Sequence, residues 1–259
     1  MSEADSEFYV GYLPRAPAHL ARRTRVGVIV VIGLALALAA LIVLSQSGFG
    51  HGVFEYGTER EFAGVIEAAP YPVLAVDRPG DGHSRYLLSR VGKHGALPLV
   101  KDFVGQEVIV RGTLAYRDGM TMIEIADDGV KLGKPREASS STEKDVRLGT
   151  ATLIGEIVDS KCYLGVMKPG NAKTHRDCAT RCISGGIPPV LLVRDADGNA
   201  SYYLLVGAHG ETLNEQVLDL IAEPIEVTGE LRRCGDLMSL RADPATFRRL
   251  ESGARSPAQ

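Results

Sequence analysis

Hydrophobic residues follow three patterns along this chain, and each pattern predicts a different kind of element. One long run is apolar throughout. Two later stretches consist of short β-rich segments separated by Asp- and Gly-rich turns. Short segments between these strands place apolar residues at helical spacing.

The apolar run covers residues 26–44 and contains neither a charge nor a proline. At about 1.5 Å per residue, a helix of this length roughly matches a hydrocarbon core of about 30 Å. Four arginines lie within residues 15–25, and the next Lys or Arg after the run is Arg60. The positive-inside rule therefore predicts a transmembrane anchor whose leader, residues 1–25, is cytoplasmic.

This orientation predicts a protein of the inner membrane with its C-terminal domains in the periplasm or outside the cell. A cleaved signal peptide is the alternative interpretation. The leader is long for a signal peptide and contains acidic residues, so we favour the anchor.

The rest of the chain contains an internal repeat. "PVLAV" in the first half matches "PVLLV" in the second, and "GKHG" matches "GAHG", which indicates turns common to both halves. The predicted organisation is a linker at 45–58, a first domain at 59–133, a second linker at 134–147, a second domain at 148–250 and a disordered tail at 251–259.

Each half has the same order of elements. β-rich runs meet across a turn, a short amphipathic segment follows, and two more strands close the unit. In the second half that segment has apolar residues at helical spacing, namely Leu213, Val217, Leu220 and Ile221. We therefore predict a mainly β fold with two tandem OB-like small barrels after the transmembrane helix.

The two halves differ by one insertion. Five residues separate Ile66 from Pro72, whereas thirty-one separate the matching Ile157 from Pro189, a difference of 26 residues. The inserted segment, 158–188, lies in the loop after the first strand, which forms one wall of the usual OB binding face. It contains Cys162, His175, Cys178 and Cys182, whereas the first half has no cysteine.

Part of the insertion is predicted to be helical. Thr174 can cap a helix over residues 175–183, and a Gly-Gly pair can end it. His175, Cys178 and Cys182 then share one helix face, while Cys162 comes from the preceding loop. These four side chains can form one cluster.

A transition-metal site is one interpretation of this cluster, because zinc accepts a tetrahedral Cys3His ligand set. The candidate ligands are Cys162, His175, Cys178 and Cys182. Asp159 and Asp177 flank them and are candidates to orient His175, although solvated loop acids are the simpler explanation.

Disulfide bonds are a second interpretation, since thiols exported across a membrane oxidise. The pairing would join Cys162 to one helix cysteine and Cys234 to the other. A dithiol redox site is a third interpretation. It is less favoured because Cys178 and Cys182 have C-x3-C rather than C-x2-C spacing.

The insertion also resembles a known group of sequences. "GEIVDSKC" followed by "HRDCATRCISGGIPPVLLV" is similar to a pattern in uncharacterised bacterial exported proteins with small OB-like domains. The resemblance places Asp159, Ser160, Cys162, His175, Cys178 and Cys182 on the group's Asp-Ser-x-Cys and H-x2-C-x3-C motifs. It covers about a third of the chain, and the group has no established activity to transfer.

Composition and missing motifs limit the function. The net charge is −3 and the chain has no Trp, so nucleic acid is not an expected partner. Hydrolase motifs such as G-x-S-x-G are absent, and we do not expect an enzyme. The leading hypothesis is an accessory or assembly subunit of a membrane complex, such as a respiratory one, with protein partners. A metal-binding or electron-transfer protein is the alternative, and a thiol oxidoreductase the third.

Overall fold

The computed structural model describes residues 18–46, 52–68, 70–78, 82–133 and 145–250. The chain divides into two compact units, residues 1–50 and 51–259. The predicted tail lies outside the described residues, as do most of the predicted leader and of the linker between the barrels.

The described part of the first unit is one long helix, α1 (Ala18–Gln46), which confirms the predicted apolar helix. Its large apolar side chains from Val26 to Leu44 are exposed, and its mean hydropathy reaches 3.1. Among the described residues it is the one helix long and apolar enough to cross a membrane.

The second unit is built mainly from strands. Its described strands are β1 (Val53–Phe54), β2 (Arg60–Glu67), β3 (Val73–Arg78), β4 (Gly82–Arg90), β5 (His94–Gly95), β6 (Glu107–Arg117), β7 (Met120–Leu132), β8 (Val146–Asp159), β9 (Pro189–Arg194), β10 (Ala200–Gly207), β11 (Pro224–Cys234), β12 (Leu237–Ala242) and β13 (Arg248–Arg249). Two short helices accompany them, α2 (Leu97–Val100) and α3 (Arg176–Ser184).

Strands β2, β3, β4, β6 and β7 close into a five-stranded barrel. The pairs β2–β3, β3–β4, β6–β7 and β2–β6 are antiparallel, and the parallel pair β4–β7 completes the ring. Helix α2 lies between β4 and β6 along the chain. This order, with its single parallel pair, is that of an OB-like barrel.

The second barrel repeats the arrangement with β8 to β12. Strand β8 pairs with β9 and β11, β9 pairs with β10, and β11 pairs with β12, all antiparallel. The parallel pair β10–β12 closes it. The two predicted OB-like barrels are therefore confirmed.

The registers also match between the barrels. Ile66 pairs with Leu74 in the first, and Ile157 pairs with Leu191 in the second. The 26 additional residues accordingly lie between β8 and β9, where the sequence repeat predicts the insertion.

Three apolar cores hold this unit together. One fills each barrel, with Ile66, Leu74 and Leu88 in the first and Ile157, Leu191 and Leu205 in the second. A third core lies between the barrels and contains residues of both: Tyr71, Val73, Leu87, Ala115, Met120 and Met122 from the first, and Val158, Tyr163, Leu164, Val190, Leu192, Tyr202, Leu204 and Val206 from the second.

The shared core explains why several strands are apolar at consecutive positions. Side chains alternate across a strand, so Leu88 points into its barrel while Leu87 points to the neighbouring barrel. Leu205 and Leu204 divide in the same way in the second barrel. Strands buried on both faces need apolar residues on both.

Two local predictions differ from the structure. The amphipathic segment around Leu213 and Val217 is buried, but its regular part is a 3-10 turn at Leu218–Leu220 rather than a helix. Asn214 there donates to the carbonyls of Ile183 and Ile187, which holds the segment against the insertion. In the predicted linker before the first barrel, β1 pairs with β6.

Candidate metal centre

The first part of the insertion lies between the two barrels. After β8 the chain makes a π-type turn at Cys162–Val166, in which Tyr163 and Leu164 enter the shared core. Arg117 of the first barrel lies 4.2 Å from the centre of the Tyr163 ring and donates to the Tyr163 carbonyl oxygen at 3.0 Å. Packing of the Tyr163 and Leu164 side chains therefore fixes the position of the adjacent Cys162.

Helix α3 carries the other two cysteines of the insertion and is tied down at both ends. Arg176 pairs with Glu223 at 2.8 Å near its start, and Asn214 holds the Ile183 carbonyl at 2.7 Å near its end. The predicted helix is confirmed, and Gly186 ends it with a φ of +94°. The N-cap residue is His175 rather than the predicted Thr174.

Three thiols converge in this region. Cys162 Sγ lies 4.0 Å from Cys178 Sγ and 3.9 Å from Cys182 Sγ, and all three sulfur atoms lie within 4.8 Å of one another. Cys162 and Cys182 are buried, and Cys178 is half-buried. Together with Ile187 they form a small cluster of their own.

These separations fit thiolates arranged around one metal ion. With a metal–sulfur bond of about 2.3 Å, sulfur atoms are about 3.8 Å apart in a tetrahedral site and about 4.0 Å apart in a planar three-coordinate one. A disulfide needs the two sulfur atoms at about 2.05 Å. The observed 3.9 and 4.0 Å agree with shared coordination, and in the structure all four cysteines of the chain are outside disulfides.

His175 is buried near Cys162 but does not belong to the group of three sulfur atoms. Its Nε2 is 3.1 Å from Asp159 Oδ2, and a His175 ring nitrogen, an Asp159 oxygen and Cys162 Sγ lie within 4.8 Å of one another. The Asp159 carboxylate therefore fixes the orientation of the His175 ring, as in sites where a carboxylate orients a ligating histidine. The structure thus forms two groups that share Cys162.

The two candidate aspartates have different surroundings. Asp159 is fully buried, and besides His175 it accepts a hydrogen bond from the Cys162 backbone N–H at 2.8 Å. It therefore orients both a candidate ligand and the turn that holds another. Asp177 is exposed on the first turn of α3, which agrees with a solvated acid.

A residue that the sequence analysis did not single out completes the cluster. Lys93 belongs to the first barrel, and its Nζ lies 2.7 Å from Cys178 Sγ and 3.7 Å from Cys182 Sγ. One sequence signal marks it: the first barrel has "GKHG" where the second has "GAHG", so Lys93 replaces an alanine in a repeated turn. That signal does not say that the turn contacts the insertion.

The surroundings shift the pKa values of Cys162 and Cys182 in opposite directions. The hydrogen bond with Cys182, then burial and the nearby Asp159 carboxylate, raise the pKa of Cys162. The same bond, donated by the Cys162 thiol, lowers the pKa of Cys182, and Lys93 acts in the same direction. The hydrogen bond to Cys178 raises the pKa of Lys93. Thiolate character is therefore favoured at Cys182 over Cys162.

The fourth cysteine lies elsewhere. Cys234 ends β11 opposite Leu237, and it lines a cavity of about 190 Å³ with Glu67, Arg85 and Asp145. The predicted bond between Cys234 and a helix cysteine is not formed in the structure, because Cys234 belongs to a hairpin while the helix thiols gather around Cys162.

The chain has little similarity to known proteins. No protein-family model matches the chain, and no curated protein matches it. Among solved structures, a deletion mutant of the single-stranded DNA binding protein from Thermus aquaticus is 13% identical, with a TM-score of 0.22, over 81% of this chain and 93% of that one. A similarity of this size carries no argument, and the fold assignment rests on the strand pairings.

Proposed function

We propose that this protein is a membrane-anchored, exported accessory subunit that binds a thiophilic transition metal, such as zinc or copper, through Cys162, Cys178 and Cys182. The convergence of these three sulfur atoms is the observation that carries the proposal. Soft thiolate ligands select zinc and copper(I) over harder cations. His175 is the candidate for a fourth ligand.

Elemental analysis tests the metal site. The full-length protein, purified in detergent with reductant and without oxygen, should hold one metal ion per chain, and Cys178→Ser should lose most of it. Cys234→Ser is the matched control and should keep it. A second preparation without reductant is used to titrate the thiols. If it has no titratable thiol and no metal is bound in either preparation, the proposal is wrong and the disulfide interpretation is supported instead.

The anchor is the second element of the proposal. The length and composition of α1 and the arginines before it support a single membrane span with the barrels outside the cytoplasm. Reporter fusions after Leu132 and Leu250 should be active only when the reporter requires export. A protein released into the soluble fraction after cleavage would instead support a signal peptide.

The accessory role rests on the combination of these parts. Small barrels on a membrane anchor present faces near the bilayer, and the shared core fixes the two barrels to each other. Affinity purification from native membranes should recover a defined membrane complex. Recovery of the protein alone under mild detergent contradicts the accessory role.

A further inference from the structure

The turn that carries Lys93 is held tightly against the insertion. The backbone N–H of Gly95 donates to the Gly185 carbonyl at 2.8 Å. Lys161, adjacent to Cys162, donates to the carbonyls of Arg90 and Gly92, each at 2.7 Å. A Cβ atom added at Gly185 would lie only 1.9 Å from the Lys93 carbonyl oxygen, so the backbones are in direct contact. The position of Lys93 is therefore fixed by both barrels.

From this placement we infer that Lys93 is a specificity-determining residue of the metal centre, which shifts its preference from divalent ions toward a soft monovalent cation such as copper(I). The inference rests on the proposed metal site and adds the choice of ion. It makes the site a joint product of the two barrels, since the ligands come from one and the counter-charge from the other.

Coulomb's law gives the direction in which the Lys93 charge shifts the ion preference. Lys93 Nζ is 2.7 Å from Cys178 Sγ, so an ion bound to that sulfur at about 2.3 Å lies roughly 4 Å from the ammonium group. The attraction between the ammonium and the thiolates is the same whichever ion is bound. The repulsion between the ammonium and the ion is twice as large for a divalent as for a monovalent cation.

The geometry around Lys93 agrees with three-coordination. The ammonium group is on the thiol side of the cluster, where it contacts Cys178 and Cys182, and it cannot act as a ligand while protonated. His175 does not belong to the group of three sulfur atoms that lie within 4.8 Å of one another, so the three thiolates can bind an ion without it. The sulfur separations of 3.9 and 4.0 Å are compatible with a three-thiolate complex, in which about 4.0 Å is expected. Copper(I) favours thiolate ligands.

The test compares two affinities in one protein. Copper(I) and zinc affinities are measured without oxygen, by competition with chelators, for the full-length wild type, Lys93→Met, Lys93→Arg and His94→Ala. The ratio of copper(I) to zinc affinity should fall in Lys93→Met by about ten- to a hundredfold, which is the Coulomb difference reduced for the partial exposure of Lys93. Lys93→Arg should restore the ratio, and His94→Ala, an exposed residue of the same turn, should leave it unchanged.

The ratio of copper(I) to zinc affinity distinguishes a role in ion preference from a purely structural role. A change in the stability of the metal-free protein alters both affinities equally and therefore leaves their ratio unchanged. An unchanged ratio in Lys93→Met, with both metals still bound, overturns the inference and leaves the proposed metal site intact. Absence of both metals from the wild type overturns the two together. If Lys93→Met does not fold, Lys93→Gln decides by the same criterion.

Discussion

Replacing Lys161 by methionine should destabilise the protein more than any substitution of an exposed lysine. The Lys161 side chain is 3% exposed and forms an ion pair with Glu124 of the first barrel, whose side chain is 16% exposed. Lys161 also donates to two backbone carbonyls at 2.7 Å each. One ammonium group therefore satisfies three acceptors across the contact between the barrels.

The loss of unfolding free energy depends on the Glu124 carboxylate, which the substitution leaves without its partner. Methionine fills most of the space of the lysine stem, so the packing loss is small. The carboxylate of Glu124 keeps some contact with solvent, which places the cost near the lower end of the range of about 3–5 kcal/mol for breaking a buried pair. We expect a loss of about 3 kcal/mol, or a decrease of roughly 6–12 °C in melting temperature for about 200 residues.

Urea unfolding of the full-length protein in detergent measures this, with Lys131→Met as the control because Lys131 is exposed on β7. The control should change the free energy of unfolding by less than about 0.5 kcal/mol. The double variant Lys161→Met, Glu124→Met should cost less than the sum of the single changes, since neither charge is left without the other. A loss below about 1 kcal/mol in Lys161→Met would refute the reasoning.

Three further predictions concern other parts of the second unit. Burial raises the pKa of Tyr71, against the opposing effect of the hydrogen bond from the Leu213 N–H. Its contribution to stability is therefore present below about pH 10 and lost above it by up to about 1.4 kcal/mol per pH unit. Unfolding free energies should fall from pH 9 to 11.5, and Tyr71→Phe should reduce the slope by up to that amount. Gly95→Ala places a Cβ atom 2.3 Å from the Gly186 carbonyl oxygen, and should cost about 1–3 kcal/mol in urea unfolding and speed alkylation of the site thiols. Cys234→Ser should leave the alkylation pattern of the remaining thiols unchanged, and altered reactivity there contradicts the observed separation.

Much of the fold could be predicted because the sequence contains its own comparison. The repeat gave the strand order of both barrels, and the gap between Ile157 and Pro189 located the insertion. The shared core could not be derived in the same way. Consecutive apolar residues such as Leu204 and Leu205 indicate burial on both faces, but they do not say which surface covers the outer face.

The site was predicted where its residues are local in sequence. Cys178 and Cys182 are four residues apart on one helix, so their common face follows from helical geometry. Lys93 lies 85 residues away from Cys178, and only the docking of the two barrels brings them together. Cys234 shows the converse, because the even number of cysteines suggested a partner that the topology places elsewhere.

The core between the barrels has a consequence for biogenesis. The first barrel is synthesised before the second, and domains generally begin to fold in that order. Until its neighbour arrives, Val73, Leu87 and Met122 form an apolar patch open to water, which is a point of aggregation. The nascent chain thus depends on rapid completion or on a chaperone that covers this patch, and a truncated protein ending after β7 would keep the hazard permanently.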